Sequence, residues 1–185
     1  VISVWAYNAN GDWFWVDGIA KRQTMDLTIN DLFRLVSEYR PQQVGIEVTG
    51  QQGAFISWLQ NEMMARNTWF AFASSEKNNA PGIRPTVDKL SRLNLVVPWF
   101  KAGKIYFPEE LKTSEILGEF MLELRLATTD GLKGKDDCLD TISMLGYLKP
   151  WKPSGSLPED KSAGPHSFWD EPTSAQPSPM SSYIV

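Results

Sequence analysis

A chain of 185 residues, 42% hydrophobic and 12% aromatic with eight tryptophans, is long enough for one domain with a buried core plus a tail. A formal net charge of −4 is no bulk sign of nucleic-acid binding, although it leaves room for local basic patches. The single Cys138 excludes an internal disulfide framework and a cysteine-based zinc site within one chain, and the lone His166 removes triads and histidine-rich metal sites from the folded part. A reducing compartment fits this cysteine usage. There is no apolar run of about 18 residues and no basic-then-apolar leader, so neither a membrane span nor a membrane partner is expected.

In chain order, residues 1–7 form an apolar strand, Asn8-Ala-Asn-Gly11 a turn, and residues 13–20 the return strand of a hairpin. Residues 26–40 follow with Leu32, Phe33, Leu35, Val36 and Tyr39 mostly at helical spacing; Thr28 is the expected N-cap and Pro41 the stop. Residues 43–50 predict a short strand ending in a glycine-bearing loop. Phe55, Ile56, Leu59, Met63 and Met64 mark a helix, and residues 69–73 the next strand. From Leu27 on, the alternation of helix and strand predicts a largely parallel sheet with crossover helices. A polar loop over 74–85, a helix over 86–97, a turn and short strand over 101–108 and a helix opened by Thr113 or Ser114 complete this part. A loop over 127–134 leads to a last, acidic helix. Seven of the twelve prolines and eight serines lie in residues 150–185, so residues 151–185 read as a mostly disordered tail behind a domain of residues 1–150. Within it, Phe168-Trp169 has the look of a short docking motif, with an idle tail as the alternative. The six tryptophans from Trp5 to Trp99 are expected in the core rather than as a stacking platform.

The last helix opens with Asp136, Asp137 and Asp140. Positions three apart are neighbours on a helix, so Asp137 and Asp140 can aim into one small volume. Acidic groups at a helix start can simply be caps. A cap needs one carboxylate, however, and crowded carboxylates raise each other's pKa unless a cation holds them together. An all-oxygen cluster suits Mg2+ or Mn2+. Glu47 interrupts an apolar strand at its carboxyl end, where open α/β sheets tend to bind ligands. It is either functional or paired with a base such as Arg22 or Lys21, or exposed at a strand end.

The ordered series Ile46-Glu47-Val-Thr-Gly50 after Arg40-Pro41, Gly103-Lys-Ile-Tyr-Phe-Pro108, Glu119-Phe120 and Gly134-Lys-Asp-Asp137-Cys-Leu-Asp140 resembles the C-terminal nuclease domain of the large terminase subunit of tailed phages. The resemblance spans roughly residues 1–150 and rests on the order and gaps of the segments rather than on any one of them. It implies an α/β, ribonuclease-H-like mixed sheet (an antiparallel N-terminal hairpin, then parallel strands) flanked by helices. It also implies a divalent-metal-dependent endonuclease that cuts concatemeric double-stranded viral DNA during packaging into procapsids. In that family the first catalytic aspartate sits on a strand upstream of the one resembling residues 1–7, so no residue of this sequence takes the role. Asp12 and Asp17 are in the wrong places, and the strand is expected upstream of Val1.

What the resemblance implies for the site is two Mg2+ or Mn2+ ions held by Glu47, Asp137 and Asp140, with Asp136 the weaker ligand or a cap. The ions would activate a water and stabilise the departing 3′-oxygen. Lys133, Lys135, Arg84, Lys89 and Arg92, with Lys77, are candidate phosphate contacts for duplex DNA; a solvated surface charge is the alternative for each. The implied partners are double-stranded DNA, the terminase ATPase domain, the portal and the small terminase subunit, and the implied location is the host cell cytoplasm. No Gly-x4-Gly-Lys-Ser/Thr loop occurs, so the motor would be a separate domain. Another ribonuclease-H-like nuclease, a resolvase or transposase, and a non-catalytic portal-binding module are the competing readings.

Overall fold

The structure is a computed structural model describing residues 1–48, 53–75, 80–128, 131–132, 134–151 and 181–184. Strand β1 (Ile2–Tyr7) and strand β2 (Trp13–Ile19) form the expected antiparallel hairpin. Gly11 takes the positive φ of 80° that the turn requires. The register shifts between Val4, opposite Asp17, and Trp5, opposite Trp15. This bulge leaves Val16 without an opposite residue and rotates the strand. Trp13 and Trp15 thereby join Trp5 and Tyr7 in one core cluster, while Val4, Ile2 and Ile19 belong to another. Every residue of β1 is buried, as expected of a strand covered on both faces.

The fold is mixed α/β. Its main sheet runs β3-β7-β1-β2-β4, with β3 at Gln43–Val44, β4 at Ile105–Tyr106 and β7 at Ser181–Ile184. Strand β4 is parallel to β2, whereas β7 is antiparallel to β1 and parallel to β3. Within the tail expected to be mostly disordered, Ser181–Ile184 lies inside the sheet. A strand has to satisfy its backbone groups, and both β1 and β3 offer an unpaired edge there. Of the strand expected over 43–50, residues 49–50 lie outside the described ones and the rest is regular only at Gln43–Val44; that expected over 69–73 is an extended segment bridged in parallel at Val44 and Phe72. Further parallel bridges join Glu47 to Ile83 and Ser74 to Gly82.

Helices cover both faces. Helix α1 (Met25–Tyr39) packs Ile29, Leu32, Phe33 and Val36 onto the side of Val4 and Val44, and α2 (Gly53–Arg66) adds Leu59 and Met63. On the other side lie α3 (Lys89–Lys101), α4 (Glu115–Leu126) and α5 (Asp137–Met144), which surround Trp5, Trp15 and Phe120. Helix α1 starts after Thr24 rather than Thr28, whose hydroxyl instead donates to the Thr24 carbonyl. It ends at Arg40, a left-handed residue whose N–H caps Val36 before Pro41. Helix α3 begins later than the expected residue 86 because Asp88 caps it, accepting from the Ser91 N–H at 3.0 Å. Within the expected loop over 127–134, β5 (Ala127–Thr128) and β6 (Gly131–Leu132) form a small hairpin. Trp5, Trp13 and Trp15 are core residues, but Trp58 and Trp69 are exposed, against expectation.

Candidate functional site

Two segments carry the candidate carboxylates to one place. Ile46 and Val48 exchange backbone hydrogen bonds with Ile83 on either side of Glu47, at 2.7 and 2.8 Å. That contact needs a glycine at position 82: its φ is +96°, and a Cβ there would lie 2.4 Å from Val48 Cγ2. The chain then turns into α3, whose first turn crosses the start of α5.

At the start of α5, Asp136 occupies the N-cap position, yet its side chain accepts no capping hydrogen bond. Glu123 of α4 does that work from a distance. Its Oε2 accepts from the backbone N–H groups of Cys138 and Leu139 at 2.8 and 3.0 Å, and the side chain is buried. Burial raises its pKa, against the two N–H groups that favour the carboxylate. Sequence reasoning missed this residue. The available signal is an acid three residues after Phe120, inside the apolar stripe of α4.

Freed from capping, Asp136 turns to Lys89, whose Nζ lies 2.9 Å from Asp136 Oδ1 and 2.5 Å from Asp140 Oδ2. One turn along α3, Arg92 places Nη1 3.6 Å from Glu47 Oε1 and Nη2 3.6 Å from Asp140 Oδ1. Glu47 is thus ion-paired, but to Arg92 rather than to Arg22 or Lys21. Burial raises the pKa of Asp140, which Lys89 only partly offsets and Asp136 reinforces. For Lys89, burial pulls downward, and the bonds to Asp140 and Asp136 prevail and raise it. Among the described residues no ion pair reaches Asp137, which is exposed. One oxygen from each of Asp136, Asp137 and Asp140 lies within 4.8 Å of the others. Glu47, Asp137 and Asp140 all line one cavity of about 220 Å³, with Ile2, Leu32 and Met144 among its apolar walls.

The structure treats the expected phosphate contacts unequally. Arg92 is corrected: at 3% exposure it lies beneath the carboxylates and cannot meet a DNA backbone. Lys89 is engaged by Asp136 and Asp140, and Lys135 is exposed, 3.7 Å from Glu119. Arg84 donates to the Pro81 carbonyl. Lys77 and Lys133, like Phe168-Trp169, lie outside the described residues. Asp12 and Asp17 have structural partners: Asp12 takes Asn8 and Lys104 in the turn, and Asp17 accepts from Tyr39. Cys138 is buried, which pushes its thiol up to about 12, so it is no nucleophile.

No protein-family model, curated protein or solved structure matches this chain. Among the described residues no helix is long and apolar enough to cross a membrane.

Proposed function

We propose that this domain is a metal-dependent endonuclease of ribonuclease-H-like type, acting on double-stranded viral DNA during genome packaging as the terminase large-subunit nuclease does. The observation that carries the reading is the single cavity in which Glu47, from the first third of the chain, meets Asp137 and Asp140 from the last helix. An antiparallel hairpin beside parallel strands, with helices on both faces, supports the fold part of the reading.

The donor set fits hard divalent cations: every candidate ligand is a carboxylate oxygen, and Asp137 is not tied up by a base among the described residues. Asp136, Asp137 and Asp140 would hold Mg2+ or Mn2+, with Glu47 at the edge of the same cavity. Two such ions, when bound, supply water activation and stabilisation of a leaving 3′-oxygen. The chain's own contribution is to set the carboxylates. Glu123 fixes the start of α5, and Arg92 braces Glu47 and Asp140 from below. Delivery of duplex would fall to the partner ATPase domain, with the small terminase subunit and portal completing the machine in the host cytoplasm.

Asp137→Ala is expected to abolish Mg2+- or Mn2+-dependent plasmid nicking while leaving the circular dichroism spectrum unchanged. Nicking that survives this change refutes the site. A second reading has its own observation: Lys89 and Arg92 pin α3 to the carboxylates, as a purely structural ion-pair network would. That network belongs to a non-catalytic assembly module, which would bind no divalent ion.

A further inference from the structure

Four carboxylates, Glu47, Asp136, Asp137 and Asp140, meet two cations of α3, and the two cations are built differently. Arg92 is 3% exposed, so it is a fixed part of the floor. Its Nε and Nη1 make no hydrogen bond among the described residues, although they are buried and the guanidinium faces Glu47 and Asp140. Buried donors without protein acceptors are met by oxygen atoms of water or of a ligand, such as the water shell of a cation. Lys89 is 41% exposed at its side chain and has a flexible four-carbon stem, so it can leave. Its ammonium sits between Asp136 and Asp140, two of the three acids whose oxygens converge.

Resting on the metal-dependent reading above, we propose that Lys89 is a tethered competitor for the metal. Its ammonium holds the cation position between Asp136 and Asp140, and divalent-ion loading drives it out to solvent. Charge gives the device its sense. With Lys89 seated, two carboxylate charges are uncompensated, matching one divalent ion; with Lys89 withdrawn there are three, which favours a second. The site therefore resists full loading at low divalent-ion concentration, and the phosphate backbone of DNA, by taking the lysine, would ease it. In isolation the domain is held in a weakly loaded state.

The test is a Mn2+ titration of the whole chain, following free Mn2+ by its paramagnetic resonance signal. Lys89→Met is expected to bind Mn2+ about tenfold or more tightly than the parent, as loss of a neighbouring like charge should produce. Lys89→Arg, which keeps the charge, should stay near the parent. Equal affinity in the parent and Lys89→Met overturns the proposal while leaving the metal site standing. If neither protein binds Mn2+ more than Asp137→Asn with Asp140→Asn does, the metal reading itself falls, and this inference with it. A measurement on the unmodified sequence covers a variant that fails to fold: Mg2+ should raise acylation of the Lys89 amine, read by mass spectrometry. Labelling that Mg2+ leaves unchanged overturns the proposal.

Discussion

At the scale of single residues, Glu123 is the group on which the acidic helix depends. The first N–H groups of a helix have no partner within it, and buried ones left unsatisfied are costly. One carboxylate oxygen of Glu123 serves two of them, for Cys138 and Leu139, and so frees Asp136 for Lys89. Glu123→Ala is expected to destabilise the fold by about 2 kcal/mol or more, since it strands two buried donors. Glu123→Gln keeps an acceptor oxygen and should cost clearly less. Urea unfolding of the two variants beside the parent measures both; equal losses would show that the acceptor is not what matters.

Between elements, polar links work where apolar packing stops. Tyr39, in the last turn of α1, donates to Asp17 Oδ2 of β2 at 3.1 Å and ties the helix end to the hairpin. Burial, then the Asp17 carboxylate, raises its pKa from 10.0 to about 12. Between those values the native protein keeps a proton that the unfolded chain has lost. Tyr39 thus contributes stability that is fully present below about pH 10 and is lost as pH rises towards 12. Tyr39→Phe should flatten this part of the alkaline fall, read as urea midpoints across the same pH range. An unchanged slope would mean that the hydroxyl is not shielded as the structure has it. On the opposite face, α3 reaches α5 by charge as well as by packing. Leu93 and Val96 enter the core beside Leu139 and Ile142, while Lys89 and Arg92 take the carboxylates.

For the whole molecule, the placement of β7 decides how the sheet closes. Ser181–Ile184 pairs with both β1 and β3, joining the hairpin to the strand that leads to Glu47. Removing residues 181–185 uncovers two strand edges at once, and such edges invite association. The shortened chain is expected to melt at a lower temperature and to associate as its concentration rises, by scanning calorimetry and light scattering. Unchanged melting and a monomer at all concentrations would show that this segment does not hold the sheet together.

The sequence by itself determined the elements whose pattern is local. The hairpin was legible from its apolar strands and Asn-Gly turn, α1 from its buried spacing, α4 from Ser114, and the acidic start of α5 from Asp136, Asp137 and Asp140. The convergence of Glu47 on that helix was expected through a family resemblance, not through spacing. Only the tertiary structure decided the partners. That Arg92 lies under Glu47, that Lys89 sits between two aspartates, and that Glu123 caps a helix on another element are contacts across 45, 47 or 51, and 15 or 16 positions. No local periodicity encodes such contacts. A charge reads the same in sequence whether water or a carboxylate neutralises it, and burial, which settles the choice, is a property of the assembled chain.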